Sequence, residues 1–400
     1  MTRDLIRDEI TQITSPNILC ELPTSFGKSR IALDIIKNRF PYIDYYKAND
    51  NQLHILIVIP RLVLIQNWKD EFEKWGMKEY LPFVTFVTYV SFPKSLRVWD
   101  MVIFDEVHHL SERCREAIHD FSVPNYIMLS ATVGYKMKEK LQLLFPDLYV
   151  YKVSTKKAIE EEILPDPQVY LIPLTLDKVA NNYEIIKNKS QKKELVIPFS
   201  QRFKYANIKN RRIVIKCTQS QYYADMSSLI EWFKRHSSQK THKTLFLKKS
   251  GDRLKWLSNQ KTEVVKDILK VLKNYKTLTF CNSIAQTEEL SKYCINSSNK
   301  KEATNNLEMF NADKIKHITA CNMLDEGVNL VNCRIGIYAV LNSSERLIKQ
   351  KLGRLLRHSK PIIIIPYYAK TRDEELVKEM LKDYNPKLVK TINHLKDLKL

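Results

Sequence analysis

Glycine is scarce in this chain: seven in 400 residues, well under the usual share. Lys, Asn and Ile are in surplus, a drift of composition in which every remaining glycine needs a reason. Three of them, Gly27, Gly327 and Gly353, fall in the segments singled out below. The seven cysteines are scattered, with no CxxC pair. That spacing excludes a zinc ribbon or an iron-sulfur cluster, and the odd count fits a reducing compartment. The nine histidines give no HExxH or similar metal constellation. Long apolar runs are missing too: Ile55–Pro60 and Pro361–Pro366 fall far short of a bilayer span, and no secretory leader precedes Leu19. A soluble intracellular protein without a membrane partner is the expectation.

What the chain has is positive charge and enough apolar residues for more than one core. Lys and Arg number 65 against 45 Asp and Glu, a formal net charge of +20 spread along the whole length. Such a balance suits a polyanionic partner, and charge alone does not separate nucleic acid from an anionic membrane. At 44% hydrophobic over 400 residues, two domains of ordinary size are expected.

The apolar run Asn17–Leu22 ends at Pro23, and LPTSFGKSRIALDII follows. This predicts a strand, a turn, and a helix with Ile31, Ala32, Ile35 and Ile36 at helical spacing. A strand that delivers lysine and serine into the first turn of a helix suits a triphosphate: backbone N–H groups face the phosphates, Lys28 reaches the β- and γ-phosphates, and Ser29 holds magnesium. A plain helix cap is the alternative. Leu53–Pro60 and Leu81–Tyr89 predict further strands, with a helix over Leu62–Trp75 between them. Arg61 and Lys94 stand at strand or turn ends.

MVIFDEVHHL carries the strongest local signal. The strand Trp99–Phe104 brings Asp105 and Glu106 to its C-terminal end, where Asp105 can bind magnesium and Glu106 can polarise a water. A capping pair after a core strand is the other reading. His108, two residues on, faces the same place. The strand Tyr126–Leu129 then ends in Ser130-Ala131-Thr132, small hydroxyl residues able to reach the carboxylates.

Strands alternating with helices predict a parallel sheet covered on both faces. Residues 1–151 form the first domain on this reading, 152–260 a linker and the start of a second lobe, and 261–400 a second α/β domain with no phosphate loop of its own. Within the middle part, Val169–Ile172 and Arg212–Lys216 read as strands and Lys178–Lys193 as a polar helix. Ser220–His236 reads as an amphipathic helix with a stripe of Tyr222, Met226, Leu229 and Trp232, core by default and base-stacking as the alternative. The basic stretch Lys240–Lys261 is a phosphate track or a solvated face. Later, Thr277–Cys281, Ile315–Ala320, Arg334–Val340 and Pro361–Pro366 predict strands, with helices at Val264–Leu272 and Ile284–Tyr293. In ERLIKQKLGRLLR, Gln350, Gly353, Arg354 and Arg357 share one helical face. Gly353 inside a helix points to close backbone approach, and the arginines suit phosphoryl charge.

Taken together these residues resemble the superfamily 2 helicases. PTSFGKS is similar to the phosphate-loop motif, IVIPRLVLIQNW to the strand and helix after it, DEVH to the DExH box, SAT to the motif coupling two domains, and CNMLDEGVNL and QKLGRLLR to the last two motifs. They run in order from Arg7 to Arg357, and the spacing is nearest the compact DNA helicases of phages and the motor parts of restriction and repair enzymes. The resemblance implies an α/β fold of two tandem RecA-like domains with parallel sheets and a nucleotide cleft between them. It implies ATP and Mg2+ held by Thr24, Ser25, Gly27, Lys28 and Ser29, with Asp105 as a second metal ligand. Glu326 and Gly327 would sense the nucleotide. Glu106 would activate water, with Gln350, Arg354 and Arg357 acting from the second domain. His108, Ser130 and Thr132 would couple hydrolysis to movement. Pro60, Arg61, Thr88, Asn282, Ser283 and Cys321 would lie toward the nucleic-acid backbone.

Three positions depart from the family pattern: Ser25 stands at a loop glycine, and Cys321 at a phosphate-contacting threonine. The adenine-reading glutamine has no clean counterpart, Arg7 fitting the segment and Ile10 standing at the glutamine's position. The resulting expectation is an ATP-dependent helicase or translocase on single-stranded or branched duplex DNA, with replication or repair proteins as partners, in a prokaryotic or phage-infected cytoplasm. An RNA-dependent ATPase and a catalytically degenerate nucleic-acid-binding scaffold remain as alternatives.

Overall fold

The computed structural model describes residues 2–48, 53–96, 98–186, 194–202, 212–296, 298–321, 330–341 and 358–399. The first lobe opens with α1 (Arg3–Thr11), β1 (Asn17–Glu21), α2 (Lys28–Arg39), α3 (Ile43–Ala48), β2 (Ile55–Ile59) and α4 (Leu64–Lys74). It continues through β3 (Val84–Thr88), β4 (Met101–Asp105), α5 (Glu112–Ile118), β5 (Tyr126–Ser130), α6 (Tyr135–Leu144) and β6 (Tyr149–Lys152). Its six strands pair in parallel in the order β3-β2-β4-β5-β1-β6. Alternation along each strand explains why both faces need cover. Ile18, Cys20, Ile55, Ile57, Ile103 and Ile127 pack into one core, while Leu19, Leu56, Val58, Val102 and Met128 point the other way into another. All of these side chains are fully buried, and each contributes roughly 2 kcal/mol by leaving water.

α7 (Thr155–Glu160) follows, with Ala158 and Leu164 still in the first core. The chain then enters β7 (Gln168–Leu174). β8 (Ala180–Ile186), β9 (Glu194–Pro198) and β10 (Arg212–Thr218) make a separate three-stranded sheet, β10 central, antiparallel to β8 and parallel to β9. The helix expected over Lys178–Lys193 is therefore wrong: Ala180–Ile186 is an edge strand. Ala180, Asn181, Asn182 and Glu184 are exposed, so the strand shows the polar composition that a half-solvated edge tolerates and that reads as helix when pairing is invisible. Two antiparallel helices come next, α8 (Gln219–Arg235) and α9 (Lys240–Gln260). The first begins in a capping box between Thr218 and Gln221.

The second lobe holds α10 (Thr262–Val271), β11 (Thr277–Phe280), α11 (Ile284–Leu290), β12 (Cys294–Ile295), α12 (Lys300–Asn311), β13 (His317–Ala320), β14 (Ile335–Tyr338), β15 (Ile362–Tyr368), α13 (Arg372–Leu381) and β16 (Val389–Thr391). Its seven strands are parallel in the order β12-β13-β11-β14-β15-β7-β16. Leu278, Phe280, Ile363 and Ile365 face one core, and Ile335, Ile337, Ile362 and Ile364 the other. The protein is thus an α/β fold with two parallel sheets, each flanked by helices, as expected of tandem RecA-like domains. Among the described residues no helix is long and apolar enough to cross a membrane.

Candidate functional site

Parallel strands put all their C-terminal ends on one edge, which is where open α/β sheets bind ligands. Across the first sheet that edge carries, in neighbouring order, Thr88 at the end of β3, Pro60 after β2, Asp105 at the end of β4, Ser130 at the end of β5 and Leu22 after β1. The Leu22 amide donates to the Ser130 carbonyl at 3.0 Å, which ties the loop after β1 to the end of β5.

The loop turns tightly, with the Phe26 amide donating to the Pro23 carbonyl at 3.2 Å and the Phe26 ring buried. Gly27 precedes the first residue of α2 with φ 101°. A Cβ there would meet nothing within 4 Å, so the backbone angle, not crowding, requires glycine. Ser25 has φ 69°: the residue at the loop-glycine position keeps the glycine conformation, strained by about 1 kcal/mol for a side chain with a Cβ. The Thr24 hydroxyl is buried and has no hydrogen-bond partner among the described residues. Lys28 and Ser29 lie in the first turn of α2, where free amides favour anions.

Opposite the loop, Lys28 Nζ stands 3.6 Å from Glu106 Oε1, both side chains largely buried. Glu106 is itself left-handed, φ 53°, and begins the 3₁₀ turn Val107–His109. That kink swings its carboxylate back over the strand end. Glu106 Oε2 lies 3.3 Å from His108 Nδ1 and 3.4 Å from Ser130 Oγ. His108 Nδ1 and Ser130 Oγ are 3.0 Å apart. The Thr132 amide donates to Ser130 Oγ at 3.3 Å, while the Thr132 hydroxyl is buried without a partner among the described residues. Lys28, Glu106, His108, Ser130 and Thr132 therefore form one continuous polar network.

Two residues that the sequence did not single out hold Asp105. The buried indole of Trp68, on α4, donates Nε1–H to Asp105 Oδ2 at 3.0 Å, and Tyr89 donates its hydroxyl to the Asp105 carbonyl at 2.7 Å. The available signal was chemical: a buried tryptophan N–H needs an acceptor.

Ile10, which stands at the position of the family's adenine-reading glutamine, is fully buried in the first core. Arg7 instead borders an open pocket with Arg30 and Asp34. Its Nε lies 2.9 Å from Asp34 Oδ2, and Arg30 Nη2 lies 2.8 Å from the other oxygen. Burial pushes the Asp34 carboxyl above its ordinary value, and the two guanidiniums pull against that rise.

Arg61 is exposed, and the Thr88 hydroxyl donates to Ser91 Oγ at 3.2 Å. In the second lobe Asn282 and Ser283 follow β11, and the buried Ser283 hydroxyl caps α11 by accepting from the Gln286 amide. Cys321, just after β13, is buried. Glu326, Gly327, Gln350, Gly353, Arg354 and Arg357 lie outside the described residues.

The stretch 260–359 matches the helicase conserved C-terminal domain family. The chain is 25% identical over 355 residues to the "DNA 3'-5' translocase XPB2" of Sulfurisphaera tokodaii, covering 84% of this chain and 74% of that protein. Over residues 260–359 the chain carries a helicase conserved C-terminal domain. The helicase domain of Pyrococcus furiosus Hef superposes over 94% of this chain and 97% of its own, with a TM-score of 0.52 at 15% identity. S. cerevisiae Dbp5, in a structure with RNA and ADP BeF3, superposes over 97% and 89% with a TM-score of 0.58 at 9% identity. At such identities these two likenesses concern the fold alone.

Proposed function

We propose that this chain is an ATP-driven motor that tracks along or separates strands of DNA. The observation that carries the reading is the gathering of Lys28, Asp105, Glu106, Ser130 and Thr132 at adjacent parallel strand ends beside a glycine-turned loop. The likeness to a DNA translocase over most of the chain and the net charge of +20 favour DNA. So does the motif spacing shared with phage helicases and with restriction and repair motors.

The residues fit ATP and Mg2+. The amides of the loop and of the first turn of α2, together with Lys28, would hold the phosphates, and the Thr24 hydroxyl, without a partner among the described residues, would be available to them. Ser29 and Asp105 would hold Mg2+, which neutralises phosphate charge during transfer. Glu106 would take the proton of the attacking water, with Lys28 and His108 positioning its two oxygens. The Ser130 hydroxyl links that carboxylate to Thr132, a route by which hydrolysis would be felt along the sheet edge. The proposed division is 1–151, 152–260 and 261–400. Glu326, Gly327, Gln350, Arg354 and Arg357 would complete the site from the second domain across a cleft. Closing and opening of that cleft would grip Pro60, Arg61, Thr88, Asn282 and Ser283 differently on the nucleic-acid backbone.

Steady-state ATP hydrolysis by the wild type and Lys28→Ala tests this, run without nucleic acid and with single-stranded DNA, duplex DNA or RNA. DNA-stimulated turnover abolished by the substitution is expected. Stimulation by RNA alone would reassign the chain to an RNA-dependent ATPase, and absence of turnover on every substrate would leave a nucleic-acid-binding scaffold.

A further inference from the structure

The antiparallel pair α8 and α9 is not used by the reading above, and its two ends differ. At its root it is fastened to the second lobe. Tyr368 donates its hydroxyl to the Gln260 carbonyl at 3.1 Å, and the Arg372 amide donates to the Tyr223 hydroxyl at 2.7 Å. Tyr183, Tyr222, Tyr223 and Trp256 pack their rings together there, with centroids 4.4 to 6.4 Å apart. The far end is the turn between Arg235 and Lys240, some 30 Å away along a helix of this length.

Charge along the pair is lopsided. Residues 219–260 hold eight Lys and Arg against three acids. Each acid is already matched: Asp225 with Arg202, Glu231 with Lys234 and Asp252 with Lys249. Arg235, Lys240, Lys243, Lys248 and Lys255 are exposed and have no acidic partner among the described residues. Four of these cations lie on the outer side of α9, where Gly251 leaves open space between Lys248 and Lys255.

The tip is aromatic. Trp232, expected as core, is 48% exposed, and Leu229 on the same helix and Leu247 on α9 are exposed as well. Its ring is propped from behind: His236 stacks on it at 4.3 Å, fixed by a 2.7 Å hydrogen bond from Nδ1–H to the Trp232 carbonyl, and His242 meets it edge-on at 5.3 Å. A solvated pair of helices needs neither a propped, half-open indole at its tip nor five uncompensated cations along its length. An unpaired base supplies a π-face for the first and phosphates for the second.

We infer that α8 and α9 form an arm carried by the second lobe that holds single-stranded nucleic acid, its phosphates along Lys240, Lys243, Lys248 and Lys255 and one base stacked on Trp232. This rests on the proposed motor. The arm would give that motor a second grip on the strand, apart from the sheet edges, which moves with the second lobe.

The test is fluorescence anisotropy of the full chain with a labelled 20-nucleotide oligo-dT strand and with a blunt duplex of the same length, across a salt series. The variants are Trp232→Ala, Trp232→Phe, and Lys240→Glu/Lys243→Glu/Lys248→Glu, each first checked for a wild-type melting profile. Loss of the indole is expected to weaken single-strand binding about 5- to 150-fold without changing the salt slope, and Trp232→Phe should restore most of it. The charge-reversed variant should flatten the slope of log affinity against log salt by about 2, near 0.7 per lost phosphate contact.

Wild-type affinity and slope in all three variants would overturn the arm while leaving the motor intact, provided DNA still stimulates wild-type ATPase. If no nucleic acid stimulates or binds the wild type, the motor reading itself has failed. An effect confined to the duplex, with Trp232→Ala silent, would overturn the stacked single strand. So would a concentration-dependent dimer broken by Trp232→Ala while nucleic-acid binding is unchanged.

Discussion

The Lys261 ammonium and the Asp373 carboxylate lie 2.7 Å apart at the root of the helical arm, with side chains 0% and 2% exposed. Lys261 Nζ also donates to the Ala339 carbonyl at 3.1 Å, and Asp373 accepts from the Tyr368 amide at 3.2 Å. One buried pair thus joins the helical arm, the end of β14 and the start of α13.

Breaking that pair from one side leaves a buried charge alone. Lys261→Met is expected to cost about 3 to 5 kcal/mol of second-lobe stability, and Lys261→Met/Asp373→Leu substantially less. Urea unfolding of the two variants checks the order, and equal losses would mean the cost is one of packing.

Trp68→Phe keeps the ring in its buried slot and removes the donor to Asp105 Oδ2. The Mg2+ concentration for half-maximal ATP turnover should rise by up to about tenfold, the scale of one hydrogen bond to a charged group. A titration with unchanged half-saturation would show that the indole does not orient the metal ligand.

Glu106→Gln preserves shape and removes the proposed base. ATP binding, read with a fluorescent nucleotide, should stay near the wild-type level, while turnover falls at least ~100-fold. Turnover near wild type would move the role of base elsewhere on the network.

His317, the first residue of β13, bonds through Nε2 to Thr279 Oγ1 at 3.2 Å, and burial lowers its pKa to about 4 from an ordinary 6.5. The unfolded chain takes up the proton first as pH falls. The contribution of the neutral ring is therefore complete above pH 6.5 and is lost progressively down to about pH 4. His317→Gln should lose less stability than the wild type between pH 7.5 and pH 5, measured by denaturant midpoints. Identical losses would place the sensitivity in other groups.

The candidate site was legible because its parts are local: a strand, a turn and the first helical turn are contiguous in 17–29, and Asp105 and Glu106 are adjacent. What brings the parts together is not local. Trp68 reaches Asp105 across 37 positions and Ser130 reaches Glu106 across 24, contacts set by strand order, which a single sequence does not print. The same reason explains Ala180–Ile186, whose strand character comes from pairing with β10. The sequence left the adenine-reading glutamine without a clean counterpart, and the packing of α1 on α2 shows Ile10, at that position, buried in the core.

β7 leaves the first lobe and becomes an inner strand of the second sheet, paired along its full length with β15 on one side and with β16 on the other. The match to the helicase C-terminal family begins at Gln260, 86 positions after β7 ends at Leu174. A gene fragment cut at that match boundary would encode a sheet with its second-to-last slat removed, with β16 stranded and the edge of β15 bare and adhesive. For anyone exchanging motor halves between relatives, the seam of this protein lies upstream of Gln168.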